Sequence, residues 1–393
     1  MKKTWLLLLV LALSALLLAA CASSNSSSSK TLVVDDDDNN DDNDNDDNDN
    51  DDDDNDDNDD DDDDDNDNDD DTADDDDDDD DDNDNDDDND ASSADVFAVG
   101  WDGVILHYDG TTWTQMTSGT TQGLLAIWGS SGSDVFAVGQ LTLHYDGTTW
   151  ATVNSPWAGN AEWVSVWGSS PSDVYAVGEA GPMWEDGIVH YDGTTWSEIP
   201  NVGTQYNGVW GSSPSDVYAV NGGPEYSQPP ELWGGAINYD GVSWHGILGG
   251  TIDLLSIWGS SPSDIYAVGV ADDSNNAIEH YDGTSWTAIN GQGTYVWGAS
   301  ASAVFVACFN AISYYDGASW TMMTLPNGQW RDIAGIWGTS ACDVFAIDAT
   351  TENSPILHYD GTTWTTMMSP DSFLNAVWGA LPSDASLVTA PTN

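Results

Sequence analysis

LLAIWGSSGSDVFAVGQLTLHYDGTTWATV, residues 124–153, contains four short apolar runs separated by Gly, Ser, Asp and Thr. Val, Ile, Phe, Tyr and Trp dominate the runs, which is the composition of β-strands, and no stretch carries a helical period. The runs are termed A (124–129), B (134–139), C (143–147) and D (150–153). Between C and D, Asp146-Gly147 is a turn with a mechanism. The Asp side chain accepts bonds from backbone N–H groups two or three residues on, and Gly supplies a positive φ without steric cost. The unit recurs. Copies of Tyr-Asp-Gly begin at Tyr108, Tyr145, Tyr191, Tyr239, Tyr281, Tyr315 and Tyr359, and each runs into a Trp at 113, 150, 196, 244, 286, 320 or 364. A Trp-Gly pair follows each copy, and successive pairs lie 39 to 48 residues apart. Four antiparallel strands per ~40 residues make a propeller blade.

The chain predicts its own closure. It enters at Asp95 with a B strand and lacks an A strand before it; the last A strand, 374–379, has no C and D strands after it. Joining the two completes a seventh four-stranded blade and removes open edges from the ring. The expected fold is therefore all-β: a seven-bladed propeller over residues 91–393, closed by combining N- and C-terminal strands. The segment LPSDASLV (381–388) resembles a decayed further B strand whose place residues 95–100 already occupy, and a surface tail is expected there.

Lys2 and Lys3, an apolar run over 5–18 and then small residues mark 1–20 as a targeting segment. Its apolar run is short of the ~20 residues of a membrane span. Leu18-Ala19-Ala20-Cys21 resembles a bacterial lipoprotein signal. That resemblance implies cleavage before Cys21, lipid on that residue, a membrane as partner, and, from Ala22, the outer membrane of a bacterial envelope with possible surface display. Residues 21–34 form a Ser-rich tether. Residues 35–90 hold 41 Asp and 13 Asn, interrupted only by Thr72 and Ala73. Such a segment has nothing apolar to bury, repels itself and is expected to be a disordered stalk, up to ~180 Å long at ~3.3 Å per residue. It lacks the Gly and Glu of a defined calcium loop, so weak, diffuse Ca²⁺ binding is the most it should show. No other cofactor and no metal site is expected.

Loss of the signal takes the net charge from −67 to −69 as Lys2 and Lys3 leave. From Ala91 onward 30 acidic residues face one basic residue, Arg331. Nucleic-acid binding needs several phosphate-neutralising Lys or Arg and is excluded. Cys308 and Cys342 lie at opposite ends of equivalent strands in neighbouring repeats, so no disulfide between them and two free buried thiols are expected.

The order apolar strand, AVG-like strand, LHYDG and TTW resembles the Asp-box repeats of sialidase-type propellers and, more closely, propellers of the photosystem II assembly-factor type. It covers 95–379, although Asp and Trp stand one residue closer than in the usual box. The resemblance implies the fold and a possible scaffold role in assembling envelope complexes. Sialidase chemistry is not implied, since it relies on several arginines and this domain has one.

A residue present in every copy builds the frame, so function should lie where copies differ. The turn Asp residues and the His set (His107, His144, His190, His280, His358, with Asn238 and Tyr314 in the remaining copies) are structural by this criterion. The A–B and C–D turns share one face and barely vary. The B–C and D–A loops share the other face and vary widely. Of 21 Trp, the six off-pattern ones (Trp101, Trp157, Trp163, Trp184, Trp233, Trp330) fall in the variable segments, Trp163 at the start of an A strand and therefore in the core. Exposed aromatics rimmed by polar groups mark binding surfaces. The candidate ligand site is Trp101, Trp157, Trp184, Glu185, Tyr226, Trp233, Trp330 and Arg331, suited to a carbohydrate or an envelope protein and carried by a monomeric propeller. Catalysis by paired loop carboxylates (Glu185 with Asp186, or Glu225 with Glu231) is the rival class; a non-catalytic binding protein is the expectation.

Overall fold

The computed structural model describes residues 94–157, 159–180, 187–200, 202, 205–222, 235–248, 252–270, 277–308, 311–326, 332–351 and 353–380. The segments 1–20, 21–34 and 35–90, with Cys21, lie outside the described residues, as does 381–393.

Every sheet is a four-stranded antiparallel meander. Blade 1 takes β1 (Asp95–Gly100), β2 (Ile105–Tyr108) and β3 (Trp113–Met116). Blade 2 is β4 (Leu124–Ser131), β5 (Asp134–Gly139), β6 (Thr142–Tyr145) and β7 (Trp150–Val153). Blade 3 is β8 (Ala161–Ser170), β9 (Asp173–Ala180), β10 (Ile188–Tyr191) and β11 (Trp196–Glu198). Blade 4 is β12 (Tyr206–Ser213), β13 (Asp216–Asn221), β14 (Gly235–Tyr239) and β15 (Trp244–Leu248). Blade 5 is β16 (Asp253–Ser261), β17 (Asp264–Val270), β18 (Ile278–Tyr281) and β19 (Trp286–Ile289). Blade 6 is β20 (Tyr295–Ser300), β21 (Ala303–Cys308), β22 (Ala311–Tyr315) and β23 (Trp320–Met323). Blade 7 is β24 (Ile333–Ser340), β25 (Asp343–Asp348), β26 (Ile356–Tyr359) and β27 (Trp364–Met368). The last strand, β28 (Leu374–Ala380), completes blade 1 as its A strand, pairing Phe97 with Trp378 and Ala98 with Val377. The ring is closed by both ends of the domain, as the missing A strand predicts. The one described helical turn is a single 3₁₀ turn, Trp101–Gly103.

Two invariant pairs explain how blades lock together. The ring of each Trp-Gly tryptophan covers the glycine of the next blade. A Cβ on Gly168 would lie 2.5 Å from Trp128 Cη2, and one on Gly129 would lie 2.6 Å from Trp378 Cη2. The same contact joins Trp167 to Gly211, Trp210 to Gly259, Trp258 to Gly298, Trp297 to Gly338 and Trp337 to Gly379, so it runs unbroken around the ring. Only glycine leaves room for the ring above it. Further out, each turn tryptophan lies against its own blade's Tyr, and Trp113, Trp150, Trp196, Trp244 and Trp320 meet the B-strand aromatic of the preceding blade edge-on. Trp150 lies 5.2 Å from Tyr145 and 6.4 Å from Phe97, the latter at 80°. Both geometries suit the aromatic quadrupole. Hydrophobic clusters accordingly straddle adjacent blades, as where Phe97, Val99 and Ile105 pack with Leu124, Ile127 and Leu143.

The B strands are buried along nearly their whole length; Val96, Phe97, Ala98 and Val99 are fully buried. Trp163 is 1 % exposed, a core residue as its position in β8 predicts. The cysteine expectation needs one correction. Cys308 is a free, half-buried thiol bonded to the Ala311 carbonyl, so it is not cross-linked to Cys342. Cys342, however, is disulfide-bonded and not a free thiol. Repeat position alone ruled out one pairing and could not exclude a partner beyond the repeats.

Candidate functional site

The invariant face is a frame at atomic detail. In each C–D turn the Asp Oδ1 accepts two backbone N–H bonds: at Asp146 from Thr148 (2.9 Å) and Thr149 (2.8 Å). The following glycine sits in the left-handed region, with φ 86° at Gly147. These bonds hold the carboxylates below their ordinary range. Asp146, Asp192, Asp240, Asp282 and Asp316 are lowered chiefly by the N–H three residues on. Asp360, with an added Thr362 hydroxyl bond as the largest cause, falls to about 2.

The histidines are equally structural. Each Nε2 meets the Asp that opens its B strand: His144–Asp134 at 2.6 Å, His190–Asp173 at 2.7 Å, His280–Asp264 at 2.7 Å, His358–Asp343 at 2.6 Å and His107–Asp95 at 2.8 Å. The other carboxylate oxygen accepts a hydroxyl, as from Ser130 to Asp134 and Thr339 to Asp343, both 2.5 Å. The imidazole stacks on the B-strand ring, 4.4 Å from Phe136 to His144. Ser, Asp and His thus meet in blades 2, 3 and 5. The carboxylate, not the imidazole, occupies the centre, so the serine proton faces no base of the kind a nucleophile needs. The unit is a brace tying A–B turn to C strand. Sequence inspection placed the His at one repeat position but missed its partner. The signal was there: Ala299, Ala303 and Tyr314 replace all three members together in blade 6. Among the described residues no group of three or more His, Cys, Asp or Glu is arranged to hold a metal.

The variable face carries the B–C and D–A loops. Of the candidate ligand residues, Trp101 and Trp157 are described; Trp184, Glu185, Tyr226, Trp233, Trp330 and Arg331 lie outside the described residues, as do Asp186, Glu225 and Glu231. Trp101 begins the 3₁₀ turn between β1 and β2 and is 42 % exposed. Its backbone N–H bonds the Phe373 carbonyl at 3.0 Å, and Phe373 is also 42 % exposed. The junction between the two ends of the propeller therefore presents two exposed aromatics on backbones that are bonded to each other. The Trp101 ring lies against Gly123, where a Cβ would sit 2.8 Å from Cε3.

Asp102, next in the chain to Trp101, lines a polar cleft of about 780 Å³ with Gln115, Thr117, Ser118, Thr120 and Thr121. Asp102 has φ 57°, a conformation Asp tolerates better than most residues. Gly103 has φ 70°, and a Cβ there would lie 2.3 Å from the Thr120 carbonyl, so glycine sets the depth of the turn. Ser118 Oγ donates to the Thr120 carbonyl and fixes the loop. Phe373 was not legible as a neighbour of Trp101 in the sequence, because only closure brings residue 101 beside 373; the cleft itself forms between the B–C and D–A loops of one blade.

Trp157 sits in the D–A loop between blades 2 and 3, is 37 % exposed and has φ 63°. A bulky residue in the left-handed region carries ~1–2 kcal/mol of strain. The Asn160 N–H to the Trp157 carbonyl, 2.7 Å, holds that conformation. Trp101 and Trp157 thus stand in a B–C and a D–A loop, each partly exposed.

No family model matches the sequence, and no curated protein matches it. The fold is similar to several solved propellers. A protein of unknown function from Desulfotomaculum acetoxidans superposes with a TM-score of 0.54 at 12 % identity, covering 74 % of this chain and 100 % of that one. The computationally designed Ika8 protein gives 0.50 at 13 % identity, covering 74 % and 93 %. A YCF48 protein bound to a D1 peptide gives 0.49 at 14 % identity, covering 68 % and 94 %. At these identities the likeness establishes the propeller fold.

Proposed function

We propose that this chain is a non-catalytic binding protein of the bacterial cell envelope. Cys21 carries the lipid, which requires its sulfur to stand outside any disulfide with Cys342 in the anchored protein, residues 35–90 hold the propeller away from the outer membrane, and the variable face takes up a carbohydrate. The observation that carries the proposal is the exposed Trp101–Phe373 pair together with the cleft that Asp102, next in the chain to Trp101, lines with Gln115 and the Thr117–Thr121 hydroxyls. Flat aromatic faces stack on the C–H face of a sugar ring, and hydroxyl, amide and carboxylate groups exchange hydrogen bonds with its hydroxyls. The cleft volume falls within the ~300–1,000 Å³ usual for ligand sites. The absence of several basic residues turns the choice toward neutral or cationic glycans and away from anionic ones.

A glycan array probed with the mature chain and with Trp101→Ala and Phe373→Ala tests this. Binding of at least one glycan should weaken about tenfold in each variant, as for a hot-spot aromatic. Hits whose affinity survives both substitutions sink the cleft as the site. The rival assembly-scaffold role predicts a co-purifying envelope protein and no glycan hit. Mass spectrometry of the mature N-terminus tests the anchor, since an acylated Cys21 thioether differs in mass from a free or disulfide-bonded cysteine.

A further inference from the structure

Blade 6 has lost the whole brace, with Ala299, Ala303 and Tyr314 in place of Ser, Asp and His. It also carries an apolar groove on its outer flank. The groove is about 460 Å³, walled by Met322, Met323, Leu325 and Pro326 from blade 6 and by Tyr359 and Trp364 from blade 7. Asp316 stands among the lining residues. Met323 is committed within the frame, its Sδ accepting from Trp364 Nε1 at 3.4 Å. Met322 is not: it is 72 % exposed on the outermost strand. Two residues past the turn Trp, the seven copies read Gln115, Thr152, Glu198, Gly246, Ala288, Met322 and Thr366. Met322 is the one large apolar side chain in that series. Neither fold nor solubility requires it, and the alternation of β23 directs it outward. An exposed thioether is an adaptable contact for a partner's apolar group.

Charge selects the occupant. Backbone N–H bonds from Ser319 and Ala318 keep Asp316 ionised. Thirty acidic residues against Arg331 repel any acidic segment and draw in basic ones. We infer that this groove docks an extended segment of a partner protein in which a large apolar side chain stands next to a lysine or arginine. The apolar group enters between Met322 and Trp364, and the cation meets the Asp316 carboxylate. Among the described residues β23 is the outer strand of its sheet, so such a segment can also pair with its outer edge. This surface is separate from the cleft at Trp101 and does not rest on the carbohydrate proposal.

The test uses the mature chain and three immobilised nonapeptides differing only at their centre: Phe-Lys, Phe-Glu and Ser-Lys. Phe-Lys should be retained and the other two not. Met322→Thr, the residue found at 152 and 366, should reduce retention about tenfold with the melting temperature unchanged. Asp316→Asn keeps the acceptor for the Ala318 and Ser319 N–H groups and should abolish the preference for Lys over Glu. Equal retention of all three peptides, or unchanged affinity in Met322→Thr, overturns the inference. So does a dimer in sedimentation that Met322→Thr dissolves, which would assign the groove to a second copy. A chain ending at Ala380 that binds Phe-Lys about tenfold tighter would overturn it too, assigning the groove to residues 381–393. Trp101→Ala should leave peptide retention unaltered, so failure here and failure of the carbohydrate proposal are read separately.

Discussion

Replacing Glu279 by Leu should stabilise this protein, and the gain should depend on pH. Glu279 is the second residue of β18, where five other blades place Leu106, Leu143, Val189, Ile237 and Leu357 and blade 6 places Ser313. It is 9 % exposed, lies opposite Ala267 and Ala288 in its sheet, and has no hydrogen-bond partner among the described residues. Tyr281, two residues on and on the same face, packs against the cluster of Tyr218, Val220, Ala236 and Leu254. Glu279 is largely buried on this face, and burial raises its pKa. Its carboxyl oxygens keep some contact with water, so the penalty belongs at the low end of the ~1–3 kcal/mol of an unpartnered buried polar group, and Leu in that place adds apolar burial. With about 2.1 cal/mol/K of unfolding entropy per residue over 94–380, 1 kcal/mol is worth about 1.7 °C, so the variant should melt about 2–4 °C higher at pH 7. The folded pKa is raised above the unfolded one. The penalty is therefore absent below the unfolded value near ~4.3 and grows as pH rises toward the folded value. The ionisation part of the gain should vanish by about pH 4, most cleanly in Glu279→Gln. Calorimetry of the three proteins between pH 4 and 8 measures this. A Leu variant no more stable than the parent at pH 7, or a Gln variant whose advantage is flat with pH, refutes the reasoning.

Three other outcomes follow from the frame. Gly129→Ala places a Cβ 2.6 Å from both the Asp134 carbonyl and Trp378, at the blade that closes the ring, and should lower stability by about 1–3 kcal/mol in chemical denaturation. Asp134→Ala should cost about 1–2 kcal/mol by stranding His144 and Ser130, whereas Asp134→Ala with His144→Tyr, which copies blade 6, should recover part of that loss in a double-mutant cycle. The seven turn carboxylates have depressed folded pKa values, so the stability they give is present above ~4 and is lost as pH falls toward about 2, the value at Asp360; circular dichroism should show acid unfolding in that window.

The fold was legible because the evidence for it is local and repeated. Trp-Gly, Asp-Gly and the alternating runs each carry their own structural requirement, and seven copies remove the ambiguity of any one. Even closure could be read, since a chain that starts with a B strand and ends with an A strand leaves one completion. The brace was half legible: His positions stood out, but the Asp partner lies 10 to 17 residues away and only strand pairing joins them. At the candidate site, Trp101 and Trp157 stand in a B–C and a D–A loop, while Phe373, the polar cleft and the groove at Met322 did not stand out.

The sequence by itself determined what every repeat shares, namely strand order, turn chemistry and so blade number, and it also marked the signal-like segment and the acidic run before the propeller. Tertiary structure decided what no repeat owns alone. Phe373 meets Trp101 only because the last A strand docks on the first B strand, 251 residues separating Asn375 from the Leu124 carbonyl it bonds. The groove at Met322 exists only between two blades, and the glycine of every Trp-Gly pair is explained by a ring from the neighbouring blade. Local patterns fix backbone conformation, because turn and strand preferences act within a few residues; surfaces form where separate segments meet, and that meeting depends on the ring having closed.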